Sequence, residues 1–236
     1  MKYPEMSYRI FPLGDAALTV EWGHCIDEEI NKEVLARFAQ LRSDPLPGMT
    51  EVSPAYNSLA IFYDVPAVKK LTPAGTSAFE WMQKQVEQFV RSAPAISTKN
   101  PRLIKVPICY DKQFAPDLAG LATKNKLTIE EVIEIHLSVT YRVYMLGFLP
   151  GFTYMGQTDE RIAMDRKLQP TPVSAGSVGI AGRQTGIYPL ASPGGWHVIG
   201  RTPLRLFDAS REEPVLLQAG DNVQFFSIDR HEFENY

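Results

Sequence analysis

The sequence predicts an α+β fold in two parts, a small layered domain of strands and two helices followed by a strand-rich domain closed as a barrel or sandwich. Three observations predict it. Two stretches before residue 92 carry apolar residues at helical spacing, Ile30, Val34, Phe38 and Leu41 in one and Phe79, Met82, Val86, Phe89 and Val90 in the other, with short β-type runs beside them. Ser92 to Pro101 (SAPAISTKNP) holds no large apolar residue except Ile96 and has a proline near each end, the make-up of an exposed connection. From Tyr141 onward helical spacing disappears and short apolar runs alternate with Gly- and Pro-rich turns. The expected domains are therefore 1–95 and 101–236.

The elements follow in order. Tyr8 to Leu13 and Ala17 to Trp22 are apolar runs broken by Gly14 and Asp15, as in two strands of a hairpin. Asp27 to Leu41 is an amphipathic helix whose Asp27, Glu28 and Glu29 complement the macrodipole at its amino end. Two prolines within Ser43 to Gly48 end it, and Glu51 to Ser53 and Leu59 to Tyr63 are further strands. The second helix stops before Pro94. Leu103 to Cys109 reads as a strand, Asp117 to Ala122 as a short helix, and Thr128 to Ser138 as a helix opened by the capping box Thr128-x-x-Glu131. Strands are then expected at Tyr141 to Leu146, Ser177 to Ala181, Trp196 to Ile199, Leu204 to Phe207, Val215 to Gln218 and Val223 to Ile228.

Composition excludes several functions. A net charge of −3 over 236 residues argues against nucleic-acid binding, which needs a concentrated excess of Lys and Arg. Cys25 and Cys109 lie far apart and form no CxxC pair, so neither a disulfide scaffold nor a thiolate metal site is expected. No apolar run is long enough for a membrane span and the opening MKYPEMSYRI has no signal-like apolar core, which makes a cytoplasmic protein the expectation. GxxxxGK[ST], HExxH and a GxGxxG between strand and helix are all missing.

What remains is a glycine-rich, charge-sorted stretch. Gly147 to Pro203 holds ten of the 16 glycines, and from Arg166 to Phe207 there is no Asp or Glu beside Arg166, Lys167, Arg183, Arg201 and Arg205. Glycine tolerates close approach of a ligand to backbone, so this stretch is expected to fold into a concave receptor for a small carboxylate or phosphate. Within Gly182-Arg183-Gln184-Thr185-Gly186-Ile187-Tyr188, Arg183 is suited to grip an anion bidentately and Gln184 to read an amide; the alternative is a turn whose Arg183 pairs with an acid from elsewhere in the fold. Ser192-Pro193-Gly194-Gly195-Trp196-His197 offers a turn, an aromatic wall and an imidazole, with a structural His197 and a core Trp196 as the alternatives. Gly147 to Tyr154, with Phe148, Gly151 and Phe152, is an aromatic loop that covers a pocket or partner, or else crosses the interior. Ser177 resembles a nucleophile elbow superficially, but Ala175 and the lack of a following helix make it a strand residue, and His136 reads as a core or helix-surface histidine.

The segments GFLPGFTYMG, SAGSVGIAGRQTGIYPLASPGGW and IGRTPLRLFD, together with YRIFPLGDAALTVEWG, AYNSLAIFYD and ICYDKQFAPDL, closely resemble the family of the 5-oxoprolinase B subunit, also called the KipI or allophanate hydrolase subunit 1 family. The resemblance implies an α/β sandwich joined to a cyclophilin-like β-barrel, partnership with a KipA-like C subunit and with an A subunit, and ATP-dependent hydrolysis of 5-oxoproline to glutamate, with magnesium accompanying ATP. Gly182, Arg183, Gln184, Tyr188, Trp196, His197 and Arg201 carry over by position as site-lining residues, with Gly151 and Phe152 from the aromatic loop. Arg183 and His197 are the catalytic candidates, no resident metal is expected, and the chain alone is expected to be inactive. Ile162 to Thr171 (IAMDRKLQPT) and Asp111-Lys112 depart from the family's usual pattern. Other members resemble inhibitors of sporulation histidine kinases, others components of hydrolases for urea-derived amides, and the barrel by analogy suggests a prolyl isomerase.

Overall fold

The computed structural model describes residues 7–92 and 101–236, and most of the connection expected at Ser92 to Pro101 lies outside the described residues. The chain divides into two compact units, Met1–Lys99 and Asn100–Tyr236.

The first unit runs β1 (Tyr8–Pro12), β2 (Ala17–Trp22), α1 (Glu28–Ser43), β3 (Met49–Pro54), β4 (Ser58–Tyr63), α2 (Val65–Leu71) and α3 (Ala78–Arg91). β1 and β2 form the expected hairpin, Tyr8 opposite Trp22, inside an antiparallel sheet of order β1-β2-β4-β3. Period-two alternation sends Leu18, Val20 and Trp22 of β2 and Leu59, Ile61 and Tyr63 of β4 into one core, where Val34 and Leu41 of α1 and Met82, Val86 and Val90 of α3 meet them. The Asp27 side chain caps α1 by accepting from the Ile30 amide, and Ser77 with Glu80 forms a reciprocal capping box on α3. α2 is a third helix that the apolar spacing did not predict. Seven residues span too few turns for a periodic stripe, and its signals were the Asp64 cap on the Ala67 amide and a proline in the first turn.

The second unit contains β5 (Leu103–Ile108), α4 (Leu118–Asn125), α5 (Ile129–Leu137), β6 (Thr140–Leu146), β7 (Thr153–Gly156), β8 (Thr171–Val173), β9 (Ser177–Ala181), β10 (Gln184–Ile187), β11 (Ser192–Gly194), β12 (His197–Arg201), β13 (Asn222–Ser227) and α6 (Arg230–Glu234). Seven strands make one sheet of order β12-β9-β10-β7-β6-β13-β5, and β8 pairs with β11 apart from it. The two edge strands of the large sheet meet where Cys109 and Arg201 exchange backbone hydrogen bonds of 2.8 and 3.0 Å, so the sheet curls round a core of Val106, Ile108, Val143, Met155, Val178, Ile180 and Ile199. Gly200 permits that approach: a Cβ there would lie 2.7 Å from Ile108 Cδ1. The Thr128–Glu131 capping box forms as expected on α5.

Two expected strands are not strands. Leu204 to Phe207 and Val215 to Gln218 are joined only by an isolated bridge between Phe207 and Val215. Pro203 and Pro214 lack the amide a ladder requires, and Asp208 folds the chain into a turn by accepting from the Ser210 amide and hydroxyl. Conversely β7, β10 and β11 form where glycines suggested loops and turns.

Candidate functional site

The glycines of the second unit accommodate the protein's own rings. Gly179 and Gly186 are partners across β9 and β10, and a Cβ on Gly186 would lie 2.5 Å from the Thr153 carbonyl and 3.0 Å from the Trp196 ring. Gly194 likewise leaves room for the Tyr188 phenol, 2.4 Å from where its Cβ would stand. On this bare stretch of sheet sit Phe152, Tyr188 and Trp196, all buried, with Phe152 edge-on to Tyr188 at 4.9 Å and to Trp196 at 5.4 Å. Burial pushes the Tyr188 phenol up, opposed by a hydrogen bond from the Trp196 backbone. Three of the expected site residues are thus the packed floor under the hairpin. Gly151, at φ +82°, turns the aromatic loop beside Phe207, and Phe148 stands exposed at its tip with φ +69°.

Arg183 tops the β9–β10 turn, half-exposed, with Gln184 beginning β10 beside it. Its guanidinium is 3.4 Å from Glu160, the arrangement foreseen as the alternative to a bare anion receptor. The Arg183 carbonyl accepts from the Thr158 amide at 2.9 Å, which carries Thr158, Asp159, Glu160 and Arg161 to the same end of the sheet. Thr158 Oγ1 is buried there with no hydrogen-bond partner among the described residues. Asp159 is held down at about 2, first by the side-chain hydrogen bond from Arg161 and then by its backbone amide. These four residues were missed by sequence reading because they precede the acid-free stretch, and a composition window cannot fold them back onto it.

His197 Nε2 lies 2.9 Å from the Asp165 carbonyl; a carbonyl only accepts, so that nitrogen carries a proton. The residues after Asp165 are tied down further, since Lys167 pairs with Asp117 at 2.7 Å and Arg166 lies 5.9 Å from the Trp196 ring centre. Asp117 also accepts from the Val198 amide at 2.7 Å and so closes the free edge of β12.

Arg201 is not with the others. Register places it opposite Ser177 at the start of β9, whereas Arg183 follows the end of that strand. The five residues of β9 lie between them, a separation of roughly 15 Å. The expected convergence of the arginines on one concavity therefore fails: Arg183 and Arg201 occupy opposite ends of β9, and Arg205 pairs with Asp208.

A buried polar chain runs through the interior of the curled sheet. Tyr110 Oη is 2.8 Å from His136 Nδ1, His136 Nε2 is 3.2 Å from Thr185 Oγ1, and Thr185 Oγ1 donates to the Gly179 carbonyl at 3.1 Å. Thr185 uses its proton on Gly179, so it accepts from Nε2–H, and Nδ1 accepts from Tyr110. Complete burial lowers the His136 pKa to about 3, which makes it a neutral core histidine.

Comparison with known proteins extends the description. The family described as carboxyltransferase domain, subdomain C and D, matches residues 8–217. The 5-oxoprolinase B subunit of Bacillus subtilis is 45% identical over 231 residues, covering 97% of this chain and 96% of that protein. Those of Escherichia coli and Haemophilus influenzae are 38% and 35% identical, each across 92% of this chain, and are themselves covered to 94% and 96%. Among solved structures, TTHA0988 superimposes with a TM-score of 0.76 at 32% identity over 90% of this chain. Kluyveromyces lactis urea carboxylase does so at 0.78 and 20% identity over 99% of it, a likeness of fold alone. The chain spans 39% of the length of the first structure and 23% of the second.

Proposed function

This chain belongs to the carboxyltransferase subdomain C and D family, and we propose that it is the B subunit of an ATP-dependent 5-oxoprolinase that, with the A and C subunits, hydrolyses 5-oxo-L-proline to L-glutamate. The observation that carries this reading is the likeness to three bacterial B subunits along nearly the full length of both partners, through both compact units. The C and A subunits are the partners, the compartment is the cytoplasm, the second unit is a cyclophilin-like barrel and the first an α/β sandwich. The recurrence of this fold inside longer chains supports a protein that works joined to another and is inactive alone.

A lactam resists water because its carbonyl is a poor electrophile, and phosphorylating the amide oxygen with ATP creates an imidate that water attacks. Among the described residues no group of three or more His, Cys, Asp or Glu side chains is placed to hold a metal ion, and no phosphate loop occurs in the sequence. ATP with its magnesium is bound by the complex, at an interface of this chain with a partner or chiefly on the partner. The contribution of this chain is to bind and orient. Arg183 grips the carboxylate of 5-oxoproline: its bond to Glu160 is long and solvent-exposed, so an incoming carboxylate displaces it at small cost. Gln184 hydrogen-bonds the ring amide, and Phe152, Tyr188 and Trp196 hold the hairpin that carries Arg183. His197 positions the Asp165 segment.

The test is glutamate release from 5-oxoproline and ATP by the three mixed proteins. Omission of this chain should abolish turnover, and Arg183→Ala should lower it about 100-fold or more without reducing thermal stability. Full turnover by the Arg183→Ala mixture would refute the assignment. A second reading, inhibition of a histidine kinase, is favoured by the exposed Phe148 at the tip of the aromatic loop. It requires the mixture to be silent while the chain alone suppresses kinase autophosphorylation, an effect lost in Phe148→Ala.

A further inference from the structure

We propose that Arg201 is a second carboxylate receptor, at the end of β9 opposite the Arg183 hairpin and independent of it. Its backbone is fixed by both hydrogen bonds to Cys109, and its Nε donates to the Ala175 carbonyl at 2.7 Å, which sets the plane of the guanidinium. Its Cζ stands 5.9 Å from the centre of the Phe114 ring and 5.8 Å from that of Phe233, and those rings are themselves 4.3 Å apart. Gly176, at φ +82°, lets the chain pass beneath the arginine stem, where a Cβ would lie 3.5 Å from Arg201 Cγ and 2.3 Å from the Thr202 carbonyl.

The terminal nitrogens complete no bond with the described residues. Arg183, Arg205 and Lys167 all have carboxylate partners, and Arg201 has a carbonyl at Nε and two rings alongside, but no acid. The residue is partly buried, and holding a guanidinium beside two rings without a counter-charge costs solvation that an anion restores. With Nε engaged, the free edge is the pair of Nη atoms, whose parallel N–H bonds match the two oxygens of a carboxylate. The carboxylate belongs either to a free amino-acid-like molecule or to an acidic side chain of an associating protein.

The experiment titrates the intact chain with acetate, glutamate and 5-oxoproline, and with inorganic phosphate as a tetrahedral control, by calorimetry and by NMR of the arginine side-chain nitrogens. If the ligand is free, saturable carboxylate binding weakens about 30-fold in Arg201→Ala and about 10-fold in Arg201→Lys. If the carboxylate is a partner's, small molecules do not bind and the same two variants weaken association with the C subunit by similar factors. Arg201→Lys keeps the stem and the charge, so it remains informative should Arg201→Ala misfold; Phe233→Ala, which removes one of the two rings beside the guanidinium, should weaken either kind of binding about 5-fold. Wild-type behaviour of Arg201→Lys and Phe233→Ala in both arms, or preference for phosphate over every carboxylate, would overturn the proposal. The association arm rests on the oxoprolinase reading and the small-molecule arm does not; failure of that reading shows separately, as a wild-type three-protein mixture without turnover.

Discussion

His136 sets a pH dependence at the scale of one residue. Its pKa of about 3 in the fold lies below the ordinary histidine value near 6.5, so the unfolded chain binds the proton more readily than the folded one. Its stabilisation is therefore complete above about pH 6.5 and is lost as pH falls toward 3, at up to about 1.4 kcal/mol per pH unit. His136→Gln should be less stable than wild type at pH 8 but should lose less on acidification, as urea titrations across that range would register. Glycines separate by what surrounds them. Gly186→Ala sets a methyl against the Thr153 carbonyl and should cost about 3 kcal/mol, whereas Gly182→Ala, with φ +58° but open space around it, should cost about 1 kcal/mol. Equal losses in chemical denaturation would refute that division. The same contrast marks how far residue roles were legible: composition located the glycines and arginines, but Trp196 filling the space above Gly179 and Glu160 reaching Arg183 are contacts across 17 and 23 positions, invisible to any local window.

Among elements, those with local signals were legible. α1, α3 and α5 carry both an apolar stripe and a side-chain cap, two statements by neighbouring residues of the same conformation. Thr128→Ala removes the α5 capping box and should destabilise the second unit by about 1 kcal/mol, with faster amide exchange in the first turn of α5. Thr128→Ser should behave as wild type; an equal loss in both variants would show that the cap is not responsible. The misjudged elements lacked such agreement. β10 is a strand because β7 and β9 pair with it on both sides, although Gln-Thr-Gly-Ile has little strand character by itself. Leu204 to Phe207 has the composition of a strand but prolines and the Asp208 turn deny it a ladder partner.

At the scale of the molecule, curling of the seven-stranded sheet depends on the meeting of β12 with the end of β5. Gly200→Ala should cost about 2 kcal/mol because its methyl strikes Ile108 Cδ1 at 2.7 Å, and Ile108→Val, about 1 kcal/mol by itself, should relieve part of that strain. Strict additivity in the double-mutant cycle would mean that the two residues do not meet. No described helix is long and apolar enough to cross a membrane. The sequence by itself determined the α+β class, most helices and strands, and the family, because caps, alternation and motifs are properties of residues close along the chain. The tertiary structure decided what the glycine-rich half is for: its glycines seat Trp196 and Tyr188, and its arginines go to opposite ends of β9. Strand register brings distant residues together and carries neighbouring ones apart, and register is set by the packing of the whole sheet rather than by any segment within it.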